Sequence, residues 1–239
     1  MDSIKLMNRV DTKYITTEPD LVRILEKIKG SYSVLVSASK MIASYDTLYF
    51  DTDSLDMFMA HRNGHLFRQK IRTRRYVNSG ETFLEIKRKD NHSRTKKKRI
   101  PINPELFDGF SGDGAAKDFI EKKSKYSADD VKPKVRTSFK RITLVDNNKT
   151  ERITIDFDLT FENIDTRLSK AIPSLVIFEV KQDGQKSSLI KEALFELRIK
   201  PFRISKYCIG TALTNDSARI GRFKEKIHII ERITNIIEL

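Results

Sequence analysis

Apolar and polar residues alternate along most of this chain, and the alternation predicts eight strands, over 8–15, 42–50, 65–76, 82–89, 96–102, 133–144, 152–158 and 175–181. Turn chemistry separates them. Asn78-Ser79-Gly80 joins the third strand to the fourth as a hairpin, and Asp146-Asn147-Asn148 lies between the sixth and seventh. Helical spacing replaces alternation in three places. Leu21, Ile24, Leu25 and Ile28 follow a start signal at Thr17-Glu18-Pro19-Asp20 and stop near Gly30. Leu189, Ile190, Ala193, Leu194 and Leu197 share one side of a second helix beginning after Ser187. Ile220, Phe223, Ile227, Ile230, Ile233 and Ile237 predict an amphipathic helix over 218–237. The stretch 104–128 reads as loop and short helix anchored by Phe119 and Ile120. Eight strands with short connections suit a closed barrel. The expectation is therefore an α+β protein: an eight-stranded antiparallel β-barrel with flanking helices, one unit over 1–239, with 216–239 a C-terminal amphipathic helix that either caps the barrel, the commoner use, or presents an apolar stripe to another subunit.

The polar faces of three strands carry the chemistry. Strand side chains alternate sides, so Arg68, Lys70, Arg72 and Arg74 share a face. Glu85, Lys87 and Lys89 share a face of the next strand, and Lys96-Lys97-Lys98-Arg99 follows on a third. Cations in register repel one another and are expensive to bury without anions. Three such rows in succession predict one surface that holds a polyanion. Arg grips phosphate oxygens with a planar fork, and Lys acts as a mobile point charge.

Net charge strengthens that reading: 46 basic against 33 acidic residues give +13. The excess favours nucleic acid, phosphate chains, nucleotides or an anionic membrane surface. The single cysteine, Cys208, excludes an internal disulfide. No apolar run approaches a membrane span and no signal-peptide core opens the chain, so a soluble, cytoplasmic protein is expected. His61, His65, His92 and His228 lack metal-ligand spacing, and no P-loop, dinucleotide fingerprint or paired-cysteine motif occurs. A nucleotide would have to be held by side chains.

Acids stand among the bases. Glu179 shares a face with Lys181, as Asp156 and Asp158 do with Arg152. A divalent metal and a phosphate chain together require such a mixture, because magnesium and manganese prefer carboxylate oxygens and complete their shells with water and phosphate. For each acid taken alone, neutralisation of a neighbouring cation is the commoner explanation, since structural ion pairs are frequent.

The motifs, in their order, resemble those of the VTC domain, the polyphosphate polymerase domain of the vacuolar transporter chaperone family. They are Arg-Val-Asp-Thr-Lys-Tyr (9–14), Tyr-Phe-Asp-Thr (49–52), Lys-Ile-Arg-Thr-Arg-Arg-Tyr (70–76), Phe-Leu-Glu-Ile-Lys-Arg-Lys (83–89) and Lys-Lys-Lys-Arg (96–99). Ser-Phe-Lys-Arg (138–141), Arg-Ile-Thr-Ile-Asp (152–156), Phe-Glu-Val-Lys (178–181) and Phe-Arg-Ile-Ser-Lys-Tyr (202–207) continue the match. The resemblance implies a triphosphate tunnel metalloenzyme of the CYTH-like superfamily, whose eight strands surround basic and acidic side chains. It implies transfer of the ATP γ-phosphate to a growing inorganic polyphosphate, with Mn2+ or Mg2+ as cofactor. It assigns phosphate binding and catalysis to Lys13, Arg72, Arg74, Lys87, Arg141 and Lys206, with Lys98 or Arg99 added, and the metal to Glu179. Lys70, Glu85, Arg152 and Lys181 complete the expected phosphate set, and Asp156 is a further candidate metal group. Where tunnel hydrolases carry Glu-x-Glu-x-Lys, this chain has Arg9-Val10-Asp11-Thr12-Lys13, which favours the polymerase branch.

Three alternatives remain at this point. The protein could hydrolyse inorganic or nucleoside triphosphate, bind polyphosphate or nucleotide without turnover, or bind RNA. RNA-binding barrels add aromatic stacking platforms; Phe67, Tyr76 and Phe83 lie near the basic rows, but Phe67 and Phe83 are as readily core residues and the chain has no Trp, so no nucleic-acid partner is expected. The oligomeric state is not legible.

Overall fold

A computed structural model describes residues 9–91, 95–110, 112–184 and 187–234. Residue 8, the end of the amphipathic tail beyond 234, and His92 lie outside the described residues. The elements in chain order are β1 (Arg9–Thr17), α1 (Glu18–Lys27), β2 (Tyr32–Val34), β3 (Ile42–Asp51), α2 (Asp56–Arg62), β4 (Arg68–Tyr76), β5 (Thr82–Lys89), β6 (Thr95–Pro101), α3 (Gly114–Lys123), β7 (Lys132–Asp146), β8 (Glu151–Asn163), β9 (Ser169–Ile172), β10 (Leu175–Asp183), α4 (Leu189–Glu196), α5 (Lys206–Thr214) and α6 (Lys224–Thr234). A 3₁₀ turn, Pro104–Phe107, precedes α3, and a second, Gly221–Phe223, precedes α6.

All pairings are antiparallel, and the path runs β1-β10-β8-β7-β3-β4-β5-β6. These are the eight strands that alternation predicts. Two short strands were not predicted: β2 pairs with β7, and β9 with β8. With three and four residues respectively, neither is long enough to display a period. The expectation of a closed barrel needs correction. Among the described residues no ladder joins β1 to β6, so the sheet of ten strands is open.

The sheet nonetheless curls strongly. β1 and β4 are five places apart along the path, which in a flat sheet would separate them by about 24 Å. Yet Lys13 on β1 donates to the carbonyl of Ile204 at 3.2 Å, and Lys70 on β4 donates to Oγ of Ser205 at 2.6 Å. Two adjacent residues touch both strands, so the path folds round on itself into a deep cradle.

Apolar residues on the convex side explain the curl. Val176, Phe178 and Val180 of β10 are fully buried in one cluster with Leu21, Ile24 and Ile28 of the α1 region and with Ile190, Ala193 and Leu194 of α4. On the far flank, Ile71, Leu84 and Ile86 of β4 and β5 are buried with Phe107 and with Ala116 and Ile120 of α3. Phe119, the second predicted anchor of this stretch, packs there half-buried.

Part of the concave side is also apolar, and α5 covers it. Gly210 makes the approach possible: a Cβ there would lie 2.7 Å from Cδ1 of Phe161 and 2.9 Å from Cγ1 of Val135. The predicted C-terminal helix starts later than its periodicity suggests. Asn215 accepts from the backbone N–H of Ser217 through its side chain and from that of Ala218 through its carbonyl, holding the chain in a turn before the helix begins. α6 then packs Ile230 into the main core.

Candidate functional site

Register fixes which residues face the cradle. From β1 to β6, the inward positions are Lys13, then Glu179 and Lys181, then Arg152, Thr154 and Asp156, then Arg141 and Phe139, then Tyr45, Thr47 and Tyr49, then Arg74, Arg72, Lys70 and Arg68, then Glu85, Lys87 and Lys89, and finally Lys97 and Arg99. Nearly every expected phosphate-binding residue therefore lies on one concave face.

Two of the acids are committed to holding bases. Glu85, 1% exposed, accepts from Nε and Nη2 of Arg72 at 2.8 and 2.6 Å, and Lys97 reaches its second oxygen at 3.2 Å. Burial works against its ionisation, but Arg72, Arg74 and Lys97 outweigh that and hold its carboxyl far below the usual range. Asp156, 5% exposed, is gripped by Arg141 through Nε at 2.5 Å and Nη2 at 2.7 Å, and Lys206 donates to it as well. Here too burial opposes ionisation, and Arg141 and Lys206 prevail. Fixed in this way, both arginines are pre-oriented before any ligand arrives.

Lys206 reaches the cradle from α5. Ser205 is the N-cap of that helix, its Oγ accepting from the backbone N–H of Cys208, while the same hydroxyl receives Lys70. Burial, the largest influence, lowers the pKa values of both Lys70 and Lys206 from the usual lysine value. Lys87 is brought down to about 8 by burial, against the pull of Glu179.

Aromatic rings separate the cations. The Arg74 guanidinium lies 5.4 Å from the Tyr45 ring centre and 5.9 Å from that of Phe139. Arg141 lies 5.0 and 5.3 Å from the same two rings, which stack 5.2 Å apart, and Lys206 lies 4.4 Å from Phe139. The negative ring faces offset part of the mutual repulsion. Tyr49 sits 5.9 Å from Arg72 and accepts a hydrogen bond from it at 3.3 Å. Burial raises the phenol, but Arg72, Arg74, Lys70 and Lys206 outweigh it and bring the pKa down to about 8.

Glu179 differs from the other two acids. Its side chain is 18% exposed, and the nearest base, Lys181, stands 3.6 Å away. Burial disfavours its charge, while Lys13, Lys181, Lys87 and Arg141 together hold it ionised and well below the usual carboxylate range. Among the described residues its one base within salt-bridge distance is Lys181, so it stands as an anion among cations that no short two-pronged pair holds.

Some predicted positions fall elsewhere. Lys98 lies opposite Ile86 and faces the convex side, whereas Arg99 lies opposite Glu85, faces inward and stands 4.3 Å from the Phe83 ring. Asp156 points inward as expected, but Asp158 does not share its face. A bulge shifts the β7–β8 register after Ser138, Asp158 takes a positive φ of 54°, and it pairs with Lys140 at 2.9 Å. Arg152 and Lys181 face each other at one end of the inner surface. Cys208 is a fully buried packing residue, as expected. Sequence reasoning named Lys97 only as part of the basic run 96–99, and it missed Tyr45, Tyr49, Phe139 and Ser205. The tyrosines alternate with Thr47 on β3, a signal that was available, while Ser205 meets Lys70 only through tertiary structure.

A family model of the VTC domain matches residues 8–215. The chain belongs to the VTC domain family. No curated protein sequence matches it. Among solved structures, it is similar to a proposed adenylyl cyclase from Hippeastrum described as having a dominant triphosphatase activity, at 13% identity and a TM-score of 0.53, covering 86% of this chain and 96% of that one. It is also similar to a proposed adenylate cyclase from Bacillus halodurans, at 11% identity and a TM-score of 0.52, covering 91% and 100% respectively. At these identities the likeness concerns the fold, an antiparallel sheet with flanking helices.

The acids of this VTC domain bear on metal binding. Among the described residues, no three His, Cys, Asp or Glu side chains come together as a protein-only metal site. Glu85 and Asp156 spend their oxygens on arginine and lysine. Glu179 is the accessible carboxylate, and one carboxylate suits a hard cation that arrives with phosphate oxygens and water as its other ligands. The residues fit a metal–phosphate complex better than a bare ion. Among the described residues, no helix is long and apolar enough to cross a membrane.

Proposed function

We propose that this VTC domain is a polyphosphate polymerase that transfers the γ-phosphate of ATP to the end of an inorganic polyphosphate chain. One observation carries the reading. Lys13, Lys70, Arg72, Arg74, Lys87, Arg141 and Lys206, drawn from four strands and a helix, converge on one concave face around Glu179 of a fifth strand.

Phosphoryl transfer through a loose transition state needs alignment and charge neutralisation more than covalent help. Arg72 and Arg141, locked by Glu85 and Asp156, present donors at fixed positions along a phosphate chain. Lys13, Lys70, Lys87 and Lys206 supply mobile charge that can follow the transferring group. The acceptor oxygen of a polyphosphate end is already ionised near neutrality, so no strong general base is required. A phosphate chain seated deep in the cradle would displace water from the buried cations, which favours phosphate as acceptor over hydrolysis. Magnesium or manganese, held by Glu179 together with the phosphates, would supply further neutralisation of the triphosphate. The chain's own residues bind, orient and shield.

The second reading is hydrolysis of a triphosphate, which the activity described for the Hippeastrum protein brings forward. Incubation with ATP and manganese, followed by sizing of phosphate products on a gel, separates the two. Long chains support the polymerase; orthophosphate alone overturns it in favour of the hydrolase. Arg72→Ala and Glu179→Gln are expected to abolish chain formation, with circular dichroism checking that each still folds. Undiminished synthesis in either variant counts against the assignment.

A further inference from the structure

The convex side of β4, β5 and β6 carries a second basic site. A pocket of about 480 Å³ opens there, lined by Arg68, Arg88, Lys89, Lys96, Lys98 and Lys123 among others, with Asp90 its one acidic wall residue. The positions are set by the fold. Arg88, Lys96 and Lys98 occupy the outward parity of β5 and β6, alternating with the inward Lys87, Lys97 and Arg99. Lys123 ends α3, whose Ala116 and Ile120 are fully buried beneath it. Gln69 pins the following chain by accepting from the Ser124 hydroxyl at 3.3 Å and the Lys125 N–H at 3.0 Å. Among the described residues, none of Arg68, Arg88, Lys89, Lys96, Lys98 and Lys123 pairs with an acid at salt-bridge distance. Like charges gathered in one concavity repel, and a bound polyanion relieves that repulsion.

Arg68 and Lys89 identify the polyanion. They form a register pair at the strand ends, on the inward parity of β4 and β5, and they also line the outer pocket. The wall of the cradle thus turns into the wall of the pocket without a break in positive charge. Phe67, 65% exposed, is the lone aromatic residue of the pocket lining, so a stacking platform for successive bases is lacking there. We infer that the convex pocket is a second binding site for inorganic polyphosphate, holding the part of a long chain that extends past the strand ends. The choice of ligand rests on the proposed polymerase reading; the site itself rests on the pocket and its charges.

The test compares long-chain polyphosphate with tripolyphosphate, which is too short to occupy both places. Binding to the wild-type chain and to Lys96→Glu/Lys123→Glu is measured by calorimetry across a salt series, with Lys96→Gln/Lys123→Gln as the charge-neutral control. Both positions are exposed and come from different elements. The expected result is loss of long-chain affinity by at least about tenfold, with the slope of log affinity against log salt reduced by about 2, while tripolyphosphate affinity is unchanged. Equal long-chain affinity in all three proteins overturns the inference. So does a single-stranded RNA that displaces the long chain at equal charge concentration. Failure of ATP-dependent synthesis alone would sink the polymerase reading, yet leave a chain-length-dependent loss at Lys96 and Lys123 as support for the outer site.

Discussion

The phenol of Tyr207 donates to Asp51 at 2.5 Å, joining the Tyr-Phe-Asp-Thr stretch at the end of β3 to the Ser-Lys-Tyr stretch that opens α5. Asp51 also accepts from the backbone N–H groups of Met57 and Phe58, so one buried carboxylate ties β3, α2 and α5 together. Lys206, adjacent to Tyr207, is thereby placed beside Asp156. Tyr207→Phe is expected to destabilise the protein by about 1.5 to 3 kcal/mol, the usual worth of a buried hydrogen bond to a charged group. It should also lower the turnover of ATP by loosening Lys206. Urea unfolding and initial rates check both, and a variant of full stability and full rate would show that the contact positions nothing.

Lys87 titrates at about 8 in the folded protein because burial penalises its charge. A bound phosphate restores the advantage of the charged form, so binding near that pH takes up a proton. Tripolyphosphate affinity is expected to fall as pH rises from 7 to 9. Ionisation of Tyr49, also at about 8, adds to the fall by introducing negative charge. Lys87→Arg should remove the lysine share, and Lys87→Arg/Tyr49→Phe should leave affinity almost flat across that range. In the free protein the lowered lysine value has the opposite sense. Between about 8 and the ordinary lysine range the unfolded chain binds more protons, so stability rises with pH.

Glu85, Asp156 and Glu179 all have folded pKa values below their unfolded ones. Each therefore contributes stability that is present above about pH 4 and is lost as pH falls through the folded value. The melting temperature is expected to drop steeply on acidification below about pH 4. Glu85→Gln should shallow that drop while lowering stability at neutral pH by about 3 to 5 kcal/mol, because Arg72 is left buried with its charge uncompensated. A melting curve that stays level down to about pH 2.5 in the wild-type chain would contradict the ion-pair account.

Gly210→Ala forces a methyl group against Phe161 and Val135, within 2.7 and 2.9 Å of their side chains. Overpacking of this kind costs about 1 to 3 kcal/mol. The expected result is a lower urea midpoint. Phe161→Leu in the same chain should recover part of the loss, because the shorter side chain vacates the contact. A neutral Gly210→Ala would mean that α5 can slide along the sheet.

Much of this architecture was legible before folding. Alternation marked the eight strands of the main path because inward and outward positions of a half-buried strand face different solvents. The turns were legible from Asn, Asp and Gly, as at Gly80, whose φ of 73° suits a residue without a side chain. The cationic rows on β4 and β5 were readable because apolar neighbours such as Ile71, Leu84 and Ile86 fixed their phase.

The run 96–99 has one apolar neighbour at its end, Ile100, whose shared parity with Lys98 was a signal left unused, so Lys98 and Arg99 stood as equals until pairing with β5 turned Arg99 and Lys97 inward and Lys98 out. Nor could alternation distinguish the three acids, because it reports a side and not a partner. Register between neighbouring strands gave Glu85 to Arg72 and Asp156 to Arg141, α5 brought Lys206 to Asp156, and among the described residues Glu179 was left with only Lys181 at 3.6 Å. Whether the barrel closes was likewise beyond the pattern, since a strand edge looks the same in sequence whether or not another strand hydrogen-bonds to it. Local chemistry alone determined strand, face and charge. Strand order, the register of the lysine run and the choice of the accessible carboxylate depended on residues far apart in the chain, and only the folded sheet brings those together.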